Sequence, residues 1–68
     1  MAVGIVKWFN HVKGVGYITP DEGDEDVFVN ASVIRASGIE ALTEGQRVEF
    51  EITAGDKGLL ARSVRAPG

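Results

Sequence analysis

Between Lys7 and Asn30 the chain carries four of its five aromatic residues, Trp8, Phe9, Tyr17 and Phe28. The same stretch holds two of its seven Lys/Arg residues, Lys7 and Lys13, and no acid occurs before Asp21. The chemistry open to this set is binding rather than bond making. Flat rings interleaved with lysines on short strands form a surface that stacks bases while ammonium groups neutralise phosphates. Each member also has a plainer reading. Tyr17 and Phe28 would serve as a cross-strand pair worth roughly 0.2–1 kcal/mol to a sheet, and Trp8 as a half-buried core residue. Beside Lys7 and Lys13, the joint pattern favours a stacking surface.

Other chemistries find little support. One histidine, His11, and no cysteine exclude disulfides, cysteine-ligated metal and multi-histidine sites. Five acids lie between Asp21 and Asp26, but they lack the spacing of a twelve-residue calcium loop. They read as a solvated hairpin loop. Gly14-x-Gly16 lacks the third glycine and following helix of a phosphate loop. No Ser/His/Asp or paired-carboxylate arrangement is evident, so neither an enzyme nor a cofactor is expected.

The elements that must position the rings are strands. Gly4–Asn10 is β-branched and aromatic without helical periodicity, and reads as a first strand. A turn through Asn10–Gly14 leads to a second strand over about Val15–Thr19, stopped by Pro20. The polar turn Asp21–Asp24 leads to a third strand over about Asp26–Asn30. There Val27 and Val29 share one face and Phe28 and Asn30 the other. The valines make the core face, which leaves Phe28 outward. One helical turn is expected over Ala31–Ile34, with Asn30 or Ser32 near its start. An irregular connection over Arg35–Gly45 follows.

A fourth strand alternates Val48, Phe50 and Ile52 with Arg47, Glu49 and Glu51. Gly55–Gly58 is a hairpin turn, and a fifth strand covers about Leu59–Val64. Ala61 and Val64 differ in parity, so burying both requires a bulge. Ala66–Gly68 is a frayed tail. Five short strands without a long helix in 68 residues predict an all-β fold, a small closed or nearly closed barrel whose closure removes exposed edges. One domain is expected over 1–68, with its core over about 3–65.

Net charge is −3 and the pI near 4.9, which argues against a nucleic-acid partner until the distribution is considered. Exposed charges are screened beyond roughly 8 Å in physiological salt. A lysine patch therefore attracts phosphate if the acidic loop points elsewhere. No secretory signal or membrane-spanning run is evident, and a cytoplasmic monomer is the expectation.

Gly4-x-Val6-Lys7-Trp8-Phe9-Asn10, Lys13-Gly14-x-Gly16, Ile18-Thr19-Pro20-Asp21 and Asp26-Val27-Phe28-Val29 resemble the bacterial cold-shock proteins. The likeness continues through Ser32, Ile34, Gly38, Leu42, Glu44-Gly45-Gln46, Val48-x-Phe50, Gly55-x-Lys57-Gly58 and Ala61. It implies an all-β, five-stranded antiparallel barrel of the oligonucleotide-binding (OB) type. It also implies binding of single-stranded RNA and DNA with little sequence preference, and an RNA-chaperone role. By position it assigns one RNA-binding motif to Lys13–Ile18 and a second to Val27–Ala31, flanked by Lys7, Trp8 and Phe9, with Lys57 near the same face. On this reading Lys7, Lys13 and Lys57 contact phosphates, Trp8, Tyr17 and Phe28 stack bases, and Phe9 is a support or a partial contact. Asn30 hydrogen-bonds a base edge.

The departures lie where binding is expected. Val15, Ala31 and Ile39 stand where the family usually has aromatics, and Asn30 where it usually has histidine. Leu59 replaces a common proline. The resemblance thus implies weaker binding than in typical relatives. Two other readings stand beside it. One is a protein-interaction module on the same barrel that has largely lost nucleic-acid binding; the other is a variant with substitutions introduced by design.

Overall fold

The structure, a computed structural model, describes residues 2–39 and 41–67. Five strands and one short helix follow in the order β1 (Ala2–Asn10), β2 (Val15–Pro20), β3 (Val27–Asn30), α1 (Ala31–Ala36), β4 (Arg47–Gly55) and β5 (Gly58–Arg65). The strands close into a barrel in the order β1-β2-β3-β5-β4. Four neighbouring pairs are antiparallel, while β3 and β5 run parallel, registered by Phe28 with Leu60. The expected all-antiparallel barrel is corrected at this seam. Strand directions cannot alternate all the way round a ring with an odd number of members, so closing five strands forces one parallel neighbour.

Inside the barrel, Val6, Ile18, Val27, Val29, Val48, Phe50, Ala61 and Val64 are buried together with Ile34 of α1 and Leu42 of the long connection. Each fully buried large aliphatic or aromatic side chain contributes roughly 1.5–3 kcal/mol by leaving water. Val27 and Val29 face inward as their alternation predicts, and Phe28 on the opposite face is only half-buried. The alternation of β4 holds for Val48 and Phe50 but fails at Ile52, which is 41% exposed. The β4–β5 hairpin outruns the core there, and residues 51–54 are all exposed. Ala61 and Val64 are both buried because Glu51 pairs with Ser63 while Ile52 pairs with Ala61. Arg62 is the extra residue, and this is the bulge that their mismatched parity requires.

A second bulge, in β1, is not foreshadowed by the sequence. Val6 pairs with Ile18, but the next pair is Trp8 with Tyr17, which leaves Lys7 unpaired. Without the slip Trp8 would share the inward face of Val6. The bulge turns Trp8 outward to 39% exposure and brings Phe9 against the core. Phe9 finds room because its partner is Gly16. A Cβ there would stand 2.5 Å from the Trp8 carbonyl oxygen and 2.7 Å from Phe9 Cδ1.

The helix begins where β3 ends. Asn30 is its N-cap, its Oδ1 accepting from the Val33 N–H at 3.1 Å. It runs to Ala36, longer than the single turn expected over Ala31–Ile34. Ser37 fastens its end to the barrel: its Oγ donates to the Val33 carbonyl at 2.9 Å and accepts from the Val64 N–H at 3.2 Å. Ala66 and Pro67 lie beyond the last strand. Gly68 of the expected tail, Glu40 of the expected connection and Met1 of the expected domain lie outside the described residues.

Candidate nucleic-acid interface

Three adjacent strands present one aromatic each at the same level of the barrel. Trp8 of β1 pairs with Tyr17 of β2, and Tyr17 with Phe28 of β3. Their ring centroids lie 5.5 Å apart at both steps, with interplanar angles of 54° and 71°. These are tilted and edge-on contacts of the kind aromatic pairs prefer. Trp8 is exposed, and Tyr17 and Phe28 are half-buried on the outer surface. Leu60 of β5, 37% exposed, continues the row across the parallel seam.

Around this row the charges are arranged unevenly. Lys7, on the β1 bulge, donates from Nζ to Asp26 Oδ2 at 2.9 Å. Thr19 Oγ1 donates to the other oxygen, Oδ1. The hydrogen bond from Lys7, helped by its charge and by Thr19, holds the Asp26 carboxyl below its ordinary value against a smaller opposing effect of burial. Both partners are partly solvated, so the pair contributes little net stability. It keeps a carboxylate beside the Lys7 ammonium.

Lys13 sits in the turn between β1 and β2 and is exposed. That turn is built locally: Asn10 Oδ1 accepts from the N–H groups of Val12 and Lys13 at 3.0 and 2.9 Å. Gly14 closes it at φ 70°, a left-handed conformation that favours glycine. Its carbonyl accepts from the Ala31 N–H at 2.7 Å and so ties the turn to α1. Neither Lys13 nor Lys57 has a side-chain partner among the described residues.

A cleft of about 640 Å³ opens beside the row. Tyr17, Phe28 and Leu60 line it, and Glu25, Asp56 and Lys57 stand around it. A model described as the 'Cold-shock' DNA-binding domain matches residues 2–67. The chain belongs to the cold-shock domain family. Over 66 residues it is 58% identical to "Cold shock-like protein CspA" of Stigmatella aurantiaca (strain DW4/3-1), covering 97% of each chain. It is 59% identical over 63 residues to "Cold shock-like protein CspE" of Escherichia coli (strain K12), covering 93% of this chain and 91% of the relative. "Cold shock-like protein CspC" of Buchnera aphidicola subsp. Acyrthosiphon pisum (strain APS) is 57% identical over 61 residues, 90% of this chain and 88% of that one.

Cold-shock proteins bind single-stranded nucleic acid and are not enzymes. Among the residues singled out in the sequence, this cold-shock domain gathers Trp8, Tyr17 and Phe28 into one row, with Lys7 beside it. Val15 and Asn30 form the next cross-strand pair on the same face of β2 and β3, beyond Gly16 and Val29. Ala31 follows at the start of α1, close to Gly14. Lys57 lies at the cleft, on the β4–β5 hairpin. Phe9 and Ile39 are placed differently. Phe9 turns to the core and meets His11 edge-on at 5.2 Å. Ile39 packs against the core cluster beyond α1, its N–H donating to the Ile34 carbonyl.

Leu60 and Glu25 were not singled out from the sequence. Leu60 had a readable signal. Neighbours on a strand face opposite sides, so of Leu59 and Leu60 one must point outward; Leu59 packs against the core. Glu25 had none, being one acid among five.

Proposed function

We propose that this cold-shock protein binds single-stranded RNA and DNA with low sequence specificity and acts as an RNA chaperone. Trp8, Tyr17 and Phe28 stack bases, and Lys7, Lys13 and Lys57 contact phosphates. The supporting observation is the row itself: three rings at 5.5 Å spacing on the outer face of three strands. Phe9, packed against the core, supports the row from inside the barrel. Lys7 reaches phosphate by exchanging Asp26 for it. Asn30 offers a base edge its amide N–H groups and the second lone pair of Oδ1, the first being taken by the Val33 N–H.

Val15, Asn30, Ala31 and Ile39 give apolar or polar contact without a ring. Stacking is worth about 1–3 kcal/mol per base. Binding is therefore weaker than in relatives with aromatics at these positions, by up to several orders of magnitude. Weak, fast exchange suits a chaperone. Trapping the open strand melts a weak hairpin by mass action and needs no nucleotide hydrolysis. A monomeric, cytoplasmic single domain over 1–68 completes the reading.

Trp8 is the one tryptophan, so its fluorescence reports on the row. Oligothymidine and single-stranded RNA should quench it, duplex should not, and quenching should weaken as salt rises. No quenching at low salt in the folded protein would refute the proposal.

A further inference from the structure

The cleft beside Phe28 carries a chemistry of its own. Its walls bear the carboxylates of Glu25, Asp26 and Asp56 against a single ammonium, Lys57. Asp26 is partnered on both oxygens, by Lys7 and by Thr19. Glu25 differs. Its Oε2 accepts from the Leu59 N–H at 3.1 Å, a contact between residues 34 apart in the chain. Gly58 leaves room for this seat, since even a Cβ there would stand only 3.1 Å from the same oxygen. Oε1 of Glu25 has no partner among the described residues. The side chain is thus held in place with acceptor capacity to spare.

Charge decides what suits such a cleft. A phosphate seated inside it, rather than at its rim by Lys57, would meet like charge from Glu25 and Asp56. A neutral flat ring offering N–H donors meets acceptors at the rim and apolar surface at Tyr17, Phe28 and Leu60. The cleft is continuous with the aromatic row, since Tyr17 and Phe28 belong to both. Its volume lies within the range of small-ligand sites, and a base of a strand already lying on the row reaches it. Among the common bases guanine alone offers two adjacent donors, N1–H and N2–H, on its pairing edge. Thymine and uracil offer one N–H flanked by two carbonyls, which a carboxylate repels.

We infer that the cleft is a guanine-selective subsite, read by Glu25 and kept in position by the Leu59 N–H. The inference rests on the single-strand reading above and adds one selective position to an otherwise tolerant surface. It is tested with a short oligothymidine and a set in which one thymine at a time becomes guanine, each titrated by Trp8 fluorescence. Guanine at one register should bind about fivefold tighter than thymine or better. Inosine at that register, which lacks the 2-amino group, should lose most of the gain. Glu25→Ala should bring the guanine-to-thymine ratio to about one.

Leu59→Pro removes the N–H donor and leaves the carboxylate, and should also lower the ratio. A flat scan, with oligothymidine still quenching, would overturn the subsite and leave single-strand binding standing. A guanine gain that survives Glu25→Ala would overturn the assignment to Glu25, and one that survives Leu59→Pro the role of the clasp. Absence of quenching by every oligonucleotide would remove the single-strand reading itself.

Discussion

Phe28 stands between Tyr17, 5.5 Å away, and Leu60 across the parallel seam, and Phe28→Ala has two separable effects. The first is on stability. The substitution removes one cross-strand aromatic contact, worth roughly 0.2–1 kcal/mol. It also removes some half-buried apolar area, for a total of about 1–2 kcal/mol. A single core in a domain of this size rarely supplies more than about 3–5 kcal/mol of stability, so a loss of about 1–2 kcal/mol leaves the variant mostly folded at low temperature. The second effect is on binding. One stacking position is worth about 1–3 kcal/mol, which is roughly a 5- to 150-fold loss of affinity. Because Phe28 contributes to both the row and the cleft, the upper half of that range is expected. The assay is the Trp8 titration with oligothymidine, run beside a urea melt of the same preparation. A folded Phe28→Ala protein whose affinity stays within about twofold of the parent would refute the stacking model, whatever the melt shows.

The remaining predictions concern charge and backbone. In single strands the logarithm of the binding constant falls with the logarithm of salt at about −0.7 per phosphate contact. Three lysines predict a slope near −2, and Lys13→Ala should flatten it by about 0.7; an unchanged slope would take Lys13 off the phosphates. The folded Asp26 carboxyl titrates below its unfolded value of 3.8. Its stabilising contribution is therefore complete above 3.8 and is lost as pH falls through the lower folded value. The urea-midpoint advantage of the parent over Asp26→Asn should shrink over that acid window, and a difference independent of pH would contradict the ion pair. Asn30→Ala should cost about 1 kcal/mol by uncapping α1, seen as a lower urea midpoint. Gly16→Ala should cost about 1–3 kcal/mol by overpacking, because its new Cβ meets the backbone of Trp8; a neutral melt would mean that β1 yields freely there.

Much of the fold is legible because the interior imposes period-two patterns. Val27 and Val29 declare the inner face of β3, and with it the outward Phe28. The parity of Ala61 and Val64 declares the bulge at Arg62. The bulge at Lys7 leaves no such mark, since Val6 and Trp8 share parity and both are acceptable core residues. Only the pairing of Trp8 with Tyr17 turns the tryptophan outward. Ile52 continues an unbroken alternation, yet the core ends before it because barrel width is a property of all five strands. The cleft is less legible still. It brings Glu25 to Leu59, and which of five clustered acids makes that contact depends on a loop path that no local preference sets. The row was readable in composition, and its spacing was not.

The parallel seam between β3 and β5 is registered by the one pair Phe28 and Leu60, and it lies under the surface on which a strand would rest. A chain draped over Tyr17, Phe28 and the cleft would strap two neighbours that share little backbone bonding of their own. Ligand occupancy and closure of the ring are then one thermodynamic event. Opening the seam parts Leu60 from Phe28 across the cleft, and loading the cleft holds the seam shut. Amide exchange at Phe28 and Leu60 would slow on binding more than exchange along the β1–β2 ladder, so the barrel would be least rigid when idle and firmest at work.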